Sequence, residues 1–443
     1  MLNQLGVFLI ATNTVMAIKL DVNDQQAMLK AAQGIAKNLM NYYVPGKTAS
    51  QGTILPNTAK TAQGFQWYEG GIMWGVMMDY MKATGDQQYS TAVVNGLTLA
   101  SYGPTASFLG KTASIAETLE GKWNDDILWW ALGPVTGAEI FGKDTVMPGG
   151  VSYSKLAKNT WDQVWNQWDD SCQGGLWWSR DRKNVKSKGY KSTITHGQQM
   201  VLGSRLAILT GDKTLAEASV RMYQWLKKTG IITPQFKVRD GLDVDQKCGI
   251  NPNELSYKSG FVFGGLAWTY KALGDESLMT EAASLFKASL DTFTKNKIIT
   301  DQCEPKCDEN QVSPKGTYVR SVGYLYENTK DASLQNLIKD TLKASVTAML
   351  DTCDDKFTCG NNWSTASPPA GPSVHYQINS LELITAYYKT FLQGGQSEAK
   401  FQPPSTAPVP VAPKDDPNSS ADHVSIISTT SLIGSMILSL LIL

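Results

Sequence analysis

Five short stretches decide how this chain folds: Ala83-Thr84-Gly85-Asp86, Phe141-Gly142-Lys143-Asp144, Leu209-Thr210-Gly211-Asp212, Ala272-Leu273-Gly274-Asp275 and Asn328-Thr329-Lys330-Asp331. Each separates two apolar-periodic segments and sets Gly or Lys before Asp. Glycine adopts the left-handed backbone that ends a helix, and aspartate caps the helix that follows. The aspartates recur about sixty residues apart, the spacing of an internal helical repeat. One more helix, over 380–392 and ending at Gly394-Gly395, completes six helical hairpins. The outer segments carry an apolar stripe, whereas inner segments such as 65–80 are apolar and aromatic nearly all round, the pattern of a helix buried on every side. The expected fold is therefore all-α, an (α/α)6 barrel closed on itself rather than an open solenoid. Its site belongs at the mouth, where loops open at one end of the inner ring.

The 443 residues balance 40 Lys and Arg against 40 Asp and Glu, and this neutrality excludes nucleic acid as a partner, which needs a basic face. Residues 2–16 are uncharged and end at Val15-Met16-Ala17, a signal-peptidase pattern, so residues 1–17 read as a secretory leader. At the other end, 402–417 is rich in Pro, Ser and Ala. It is followed by Asn418-Ser419-Ser420 and an uncharged tail, 432–443, too short to span a bilayer of roughly 30 Å. Small residues, a spacer and an apolar tail are the layout of a GPI-attachment signal. The expected organisation is an (α/α)6 domain over 18–400, a stalk over 401–418 ending at the attachment residue Asn418, and a removed signal over 419–443. The protein is expected to be secreted and GPI-anchored at the plasma membrane or cell wall. Six cysteines in such a chain predict three disulfides, with the pairing open, and Asn362-Trp363-Ser364 is an N-glycosylation acceptor.

The densest chemistry is Lys122-Trp123-Asn124-Asp125-Asp126-Ile127-Leu128-Trp129-Trp130, two carboxylates among three tryptophans. Glycosidic cleavage needs a pair of carboxyl groups, and indole faces accept the apolar C–H faces of sugars. Asp-Asp also occurs at 169–170, 354–355 and 415–416. Read alone, the pair is a helix-start acid pair behind an Asn124 N-cap. Its place at the start of the second inner helix puts it at the mouth and reverses that reading. Neighbours on a regular helix point about 100° apart, so both acids serve one site only at a helix start. Adjacent acids also suit the roughly 5–5.5 Å separation of retaining chemistry better than the longer inverting one.

Further pieces are Gln66-Trp67-Tyr68-Glu69-Gly70-Gly71-Ile72-Met73-Trp74-Gly75, Cys172-Gln173-Gly174-Gly175-Leu176-Trp177-Trp178, Gly189-Tyr190-Lys191-Ser192-Thr193-Ile194-Thr195-His196-Gly197, Asp240-Gly241-Leu242 and Cys359-Gly360-Asn361-Asn362-Trp363. With Asn124-Asp125-Asp126 they resemble glycoside hydrolase family 76, the endo-α-1,6-mannanases, in its GPI-anchored fungal cell-wall branch, over about residues 25–395. The resemblance implies an (α/α)6 barrel, retaining chemistry and no metal or other cofactor. It implies Asp125 as nucleophile and Asp126 as general acid/base. It also implies α-1,6-mannan or a GPI-core glycan as donor, with water or glucan as acceptor. Three places depart from the family's pattern: Ile127 replaces Gln, His196 replaces Asn, and Ser367-Pro368-Pro369-Ala370-Gly371-Pro372 replaces a Trp-Asp-Gly segment.

The candidate sugar-binding residues are Gln66, Trp74, Trp123, Asn124, Trp177, Trp178, Lys191 and Tyr257. Trp177 and Trp178 cannot both face the groove if their segment is extended, because side chains alternate there. Glu69 is better read as a paired structural carboxylate than as a third acid, and His196 as either a sugar ligand or a core histidine. Beside the enzyme stands a second reading, a catalytically silent glycan-binding wall protein on the same scaffold, motivated by the Ile127 and 367–372 departures.

Overall fold

The computed structural model describes residues 19–404 apart from 59–63, 102–105, 110–122, 181–188, 308–311, 313 and 366–370. The expected leader, Asn418, the removed signal and most of the 367–372 departure lie outside the described residues.

Twelve helices occupy the described chain. They are α1 (Gln25–Met40), α2 (Trp67–Thr84), α3 (Ser90–Ala100), α4 (Asn124–Phe141), α5 (Tyr153–Trp165), α6 (Thr193–Thr210), α7 (Thr214–Lys228), α8 (Ser256–Leu273), α9 (Glu276–Phe293), α10 (Pro314–Asn328), α11 (Ala332–Leu350) and α12 (Val374–Tyr388). The even-numbered helices form a closed inner ring in which α2, α4, α6, α8, α10 and α12 each pack on the next and α12 returns to α2. Their sequences show why: every residue of α6 from Thr193 to Ala207 is buried. Outer α7 instead buries one face, Leu215, Ala216, Ala218, Ser219, Met222, Tyr223, Trp225 and Leu226, at helical spacing.

The repeat turns behave as read at three positions, where Gly85, Gly211 and Gly274 end α2, α6 and α8 with φ of 76°, 79° and 76°. Asp275 and Asp331 cap α9 and α11 through the N–H groups of Ser277 and Ser333. Asp144 caps nothing: Ser152 caps α5, after a loop. The sixth pair is joined by no turn. The last helix, observed over Val374–Tyr388 rather than 380–392, packs against α1 from the other end of the chain. The Tyr387 hydroxyl donates to the Val22 carbonyl at 2.9 Å.

Because an outer helix returns the chain each time, all six inner helices run parallel and their N-termini share one end, the mouth. Close approach depends on small residues. A Cβ on Gly71 of α2 would lie 2.6 Å from the backbone of α4 at Trp130. At the opposite, closed end lies a buried ion network. Arg205 grips Glu139 through two bonds, Nε to Oε1 at 2.8 Å and Nη2 to Oε2 at 2.9 Å. Lys82 reaches the same Glu139 at 2.7 Å, and Lys389 pairs with Glu327. Residues 396–402 cross this end, where the Gln402 N–H donates to the Gln87 side chain at 2.9 Å and Phe401 meets Phe141 edge-on.

The expected three disulfides are Cys172–Cys248, Cys303–Cys307 and Cys353–Cys359. Short hairpins pair β1 (Ala49–Ser50) with β2 (Thr53–Ile54) and β6 (Thr294–Lys295) with β7 (Ile298–Ile299), while β3 (Tyr190–Ser192), β4 (Gly241–Asp243) and β5 (Gly249–Asn251) form an antiparallel sheet, and β3 runs straight into α6 at the mouth. The first disulfide ties that sheet to the segment before Trp177.

Removing one member of the closed-end network leaves a buried charge unpaired. Glu139→Ala should therefore lower unfolding free energy by about 3–5 kcal/mol in urea titration, and the paired change Glu139→Leu with Arg205→Met should recover a large part of it.

Candidate active site

Asp125 and Asp126 are the second and third residues of α4, so both lie in its first turn at the mouth. The N-cap is Trp123, not Asn124. The Trp123 N–H donates to Asp126 Oδ2 at 2.9 Å, which bends that carboxylate back toward the helix start. Asn124 is freed to bolt the turn down from below. Its N–H donates to the Trp178 carbonyl at 3.0 Å, its Nδ2 donates to the Trp177 carbonyl at 2.7 Å, and Arg180 donates to its Oδ1 at 2.8 Å. The Trp178 N–H in turn donates to the Tyr190 carbonyl of β3 at 2.9 Å. The acid pair is thereby held against the three-stranded sheet.

Burial pushes the Asp125 carboxyl up to about 6, opposed by the Trp178 indole, the Lys258 ammonium and backbone N–H groups of its own turn. Asp125 Oδ1 and Trp178 Nε1 are both buried, and the indole faces the carboxyl and favours its charged form. Lys258 is itself held by Asp240, which also accepts from the Tyr190 hydroxyl. The composition of the mouth did not single out Lys258. The available signal was a lysine three residues into a helix that is otherwise buried all round.

The aromatic candidates separate. Trp123 and Trp178 stack, centroids 5.9 Å apart and planes 27° apart, and Trp178 meets Tyr190 edge-on. Trp123, Trp178 and Tyr257 remain half-buried at the mouth, with Trp67 and Tyr68 beside them in exposure. Trp177 points the other way, as alternation requires; it is buried, and its Nε1 donates to Asp169 at 2.7 Å. Gln66 is exposed at the start of α2, and its N–H donates to Glu69 at 2.7 Å.

Four sequence expectations are corrected by burial. Trp74 is fully enclosed and its Nε1 donates to the Gly52 carbonyl at 2.7 Å, so it fills the core and stacks no sugar. Lys191 is 0% exposed and its Nζ donates to Asp169 and to the carbonyls of Ser171, Gly174 and Gly175, so it holds the loop before Trp177. Asn124 and Trp177 are buried as well, the first donating to the Trp177 carbonyl and the second to Asp169. His196 resolves to its core reading. Its Nε2 accepts from the Leu176 N–H at 2.9 Å, its Nδ1 faces the Ser192 carbonyl at 2.8 Å, and it stacks on Trp225. Burial lowers it to about 3, so it is neutral. Glu69 is structural too, 2.9 Å from His375.

The sequence pattern of glycosyl hydrolase family 76 matches residues 27–394. The chain belongs to glycosyl hydrolase family 76. Among family-76 relatives, the mannan endo-1,6-alpha-mannosidase DCW1 of Saccharomyces cerevisiae is 26% identical over 86% of this chain and 83% of its own length. Dfg5 from Chaetomium thermophilum, solved in complex with glucosamine, superposes with a TM-score of 0.75 at 23% identity, covering 87% of this chain and 94% of that one. An inactive alpha-1,6-mannanase GH76A variant of Salegentibacter sp. HEL1_6, with two adjacent aspartates changed to asparagine and alpha-1,6-mannotriose bound, superposes at 0.68 with 17% identity, covering 82% and 99%. At these identities the two superpositions establish the shared (α/α)6 fold.

The site separates wall from scaffold, and that division is measurable. Trp178→Ala should weaken oligosaccharide affinity about ten-fold or more in calorimetry. Lys191→Met should instead lower the denaturation midpoint, because it strips four acceptors of one buried ammonium.

Proposed function

We propose that this chain is a retaining, endo-acting α-1,6-mannosidase or mannosyl transglycosylase of the cell wall. The observation that carries the reading is the Asp125–Asp126 pair in the first turn of α4, at a barrel mouth walled by half-exposed Trp123, Trp178 and Tyr257. Two facts about relatives support it: DCW1 bears the name of a mannan endo-1,6-alpha-mannosidase, and the inactive mannanase has an adjacent aspartate pair replaced.

Asp125 attacks the anomeric carbon of a mannosyl unit while the bond to the departing oxygen breaks and Asp126 gives that oxygen its proton. The mannosyl-enzyme is then taken by water or by a sugar hydroxyl, which loses its proton to Asp126 and expels Asp125. The donor is α-1,6-mannan or a GPI-core glycan, and the acceptor is water or glucan. Ile127, the departure that motivated a silent glycan-binding protein, is fully buried. It lies in the core and not on the groove, so it takes nothing from the acid pair. The chain is further proposed to be secreted, glycosylated at Asn362 and held by a GPI anchor at Asn418. Release of the protein from cells by a phosphatidylinositol-specific phospholipase C is the outcome expected of that anchor.

Asp125→Asn and Asp126→Asn should each cut turnover of α-1,6-mannan by at least about a thousand-fold, and NMR of the first product should show the α-anomer. Binding without turnover in the wild type would reject the enzyme reading, and a β-anomer would reject retention.

The pH profile tests the assignment of roles. A nucleophile must be ionised, so kcat/KM should fall as pH drops through about 6, where Asp125 gains its proton. A fall as pH rises through the same value would make Asp125 the acid instead. The same shift has a stability consequence. A carboxyl raised above its unfolded value favours the protonated folded state, so its contribution is present at low pH and is lost as pH rises through about 6. Asp125→Asn should accordingly be more stable than the wild type at pH 7 in thermal melts.

A further inference from the structure

A cavity of about 410 Å³ lies at the closed end of the barrel. Tyr270 and Lys271 line it from the last turn of α8, Tyr326, Glu327 and Asn328 from the last turn of α10, and Leu392 from beyond α12. Its volume falls in the range of small-molecule sites, roughly 300–1,000 Å³. Because α8 has 18 residues, the cavity lies about 27 Å along the barrel from the mouth and is separate from the acid pair.

Two acceptors on its wall are idle. Glu327 gives Oε1 to the Lys389 ammonium, while its Oε2 has no hydrogen-bond partner and stands 4.0 Å from the Lys82 ammonium. Asn328 donates through Nδ2 to the Tyr324 carbonyl at 2.8 Å, and its Oδ1 has no partner. The Glu327 side chain is 0% exposed and Asn328 is 6% exposed, so bulk water does not serve either atom freely. At the rim, the exposed Lys271 ammonium lies 4.8 Å from the Trp268 ring centre and within the field of Glu327.

These groups select the chemistry of an occupant. A cation would suit the two acceptors but would meet Lys82, Lys271 and Lys389. An anion would suit the lysines but would meet Glu327 and the carbonyl ends of α8 and α10, where the helix dipoles are negative. A neutral hydroxyl both donates and accepts, so a group of hydroxyls serves Glu327 and Asn328 on one side and Lys271 on the other without adding charge. The remaining wall is apolar: the Tyr326 hydroxyl is spent on the Thr390 carbonyl at 3.3 Å, and its half-buried ring and Leu392 are left for the C–H face of a sugar.

We infer that the closed-end cavity is a second, non-catalytic glycan site, which takes a neutral hexose unit of a polysaccharide. A polymer held there is kept at high effective concentration for the mouth of the same molecule. The site does not depend on what the mouth does to the glycan.

NMR of the Asp125→Asn chain tests it through two indole signals, Trp268 beside the cavity and Trp178 at the mouth. The chain is titrated separately with α-1,6-mannotriose and with laminaritriose, which distinguish a mannan from a β-glucan as the source of the hexose. At least one of them should move the Trp268 signal with a dissociation constant of about 1 mM or tighter. Lys271→Met, at an exposed position, should weaken that response about ten-fold while leaving the Trp178 response and turnover by the active chain unchanged. Tyr326→Ala should weaken it as well. A Trp268 signal that stays still with both sugars at about 10 mM overturns the inference. So does an undiminished response in Lys271→Met, or a signal moved by inorganic phosphate or calcium and by neither sugar. A catalytically silent mouth leaves the Trp268 response in place, so failure of the glycosidase reading is told apart from failure of this one.

Discussion

Six parallel helices packed side by side are an electrostatic problem before they are a fold. Their macrodipoles point the same way, so partial positive charge collects at the mouth and partial negative charge at the closed end. Among the described residues, the closed end answers with Lys82, Arg205, Lys271 and Lys389 against Glu139 and Glu327. The mouth answers with Glu69, Asp125 and Asp126 in the first turns of α2 and α4. Those two answers are not equally settled. At the closed end each carboxylate is gripped, and Arg205 and Lys82 hold Glu139 below its usual range against the opposing effect of burial. At the mouth burial wins, and Asp125 stays raised.

That difference is what makes one end of the barrel chemical and the other structural. The mouth holds the desolvated Asp125 carboxyl, faced by the Trp178 indole, inside a well-bonded frame. The frame consists of Asn124, Arg180 and the carbonyls of Trp177 and Trp178, all directed at one helix turn. Lys191 and His196 brace the segment before Trp177 through Gly174 and Leu176. Strong bonding in the supports allows a desolvated carboxyl in the site to persist, because the surrounding contacts over-determine the geometry.

Much of this was legible in the residues. The Gly-Asp turns, the all-round apolar inner segments and the acid pair at a helix start led to the barrel, its mouth and the family. The alternation argument also separated Trp177 from Trp178 in advance. What misled was residue type taken without partners. Trp74 and Trp178 are the same side chain in similar company, yet one is sealed under α3 and the other walls the mouth. Lys191 has the chemistry of a hydroxyl ligand and spends it on four loop acceptors.

The sequence by itself determined the periodic helices, their turn chemistry, the six cysteines and the placing of Asp125-Asp126 in a first turn, because these depend on neighbours within a few residues. Only the tertiary structure decided the closing of the ring by α1 against α12, the pairing of Lys258 with Asp240, and the burial that raises Asp125. Burial and charge pairing are properties of the space between distant segments. No local pattern along the chain records how much water a carboxylate will lose when six helices close around it.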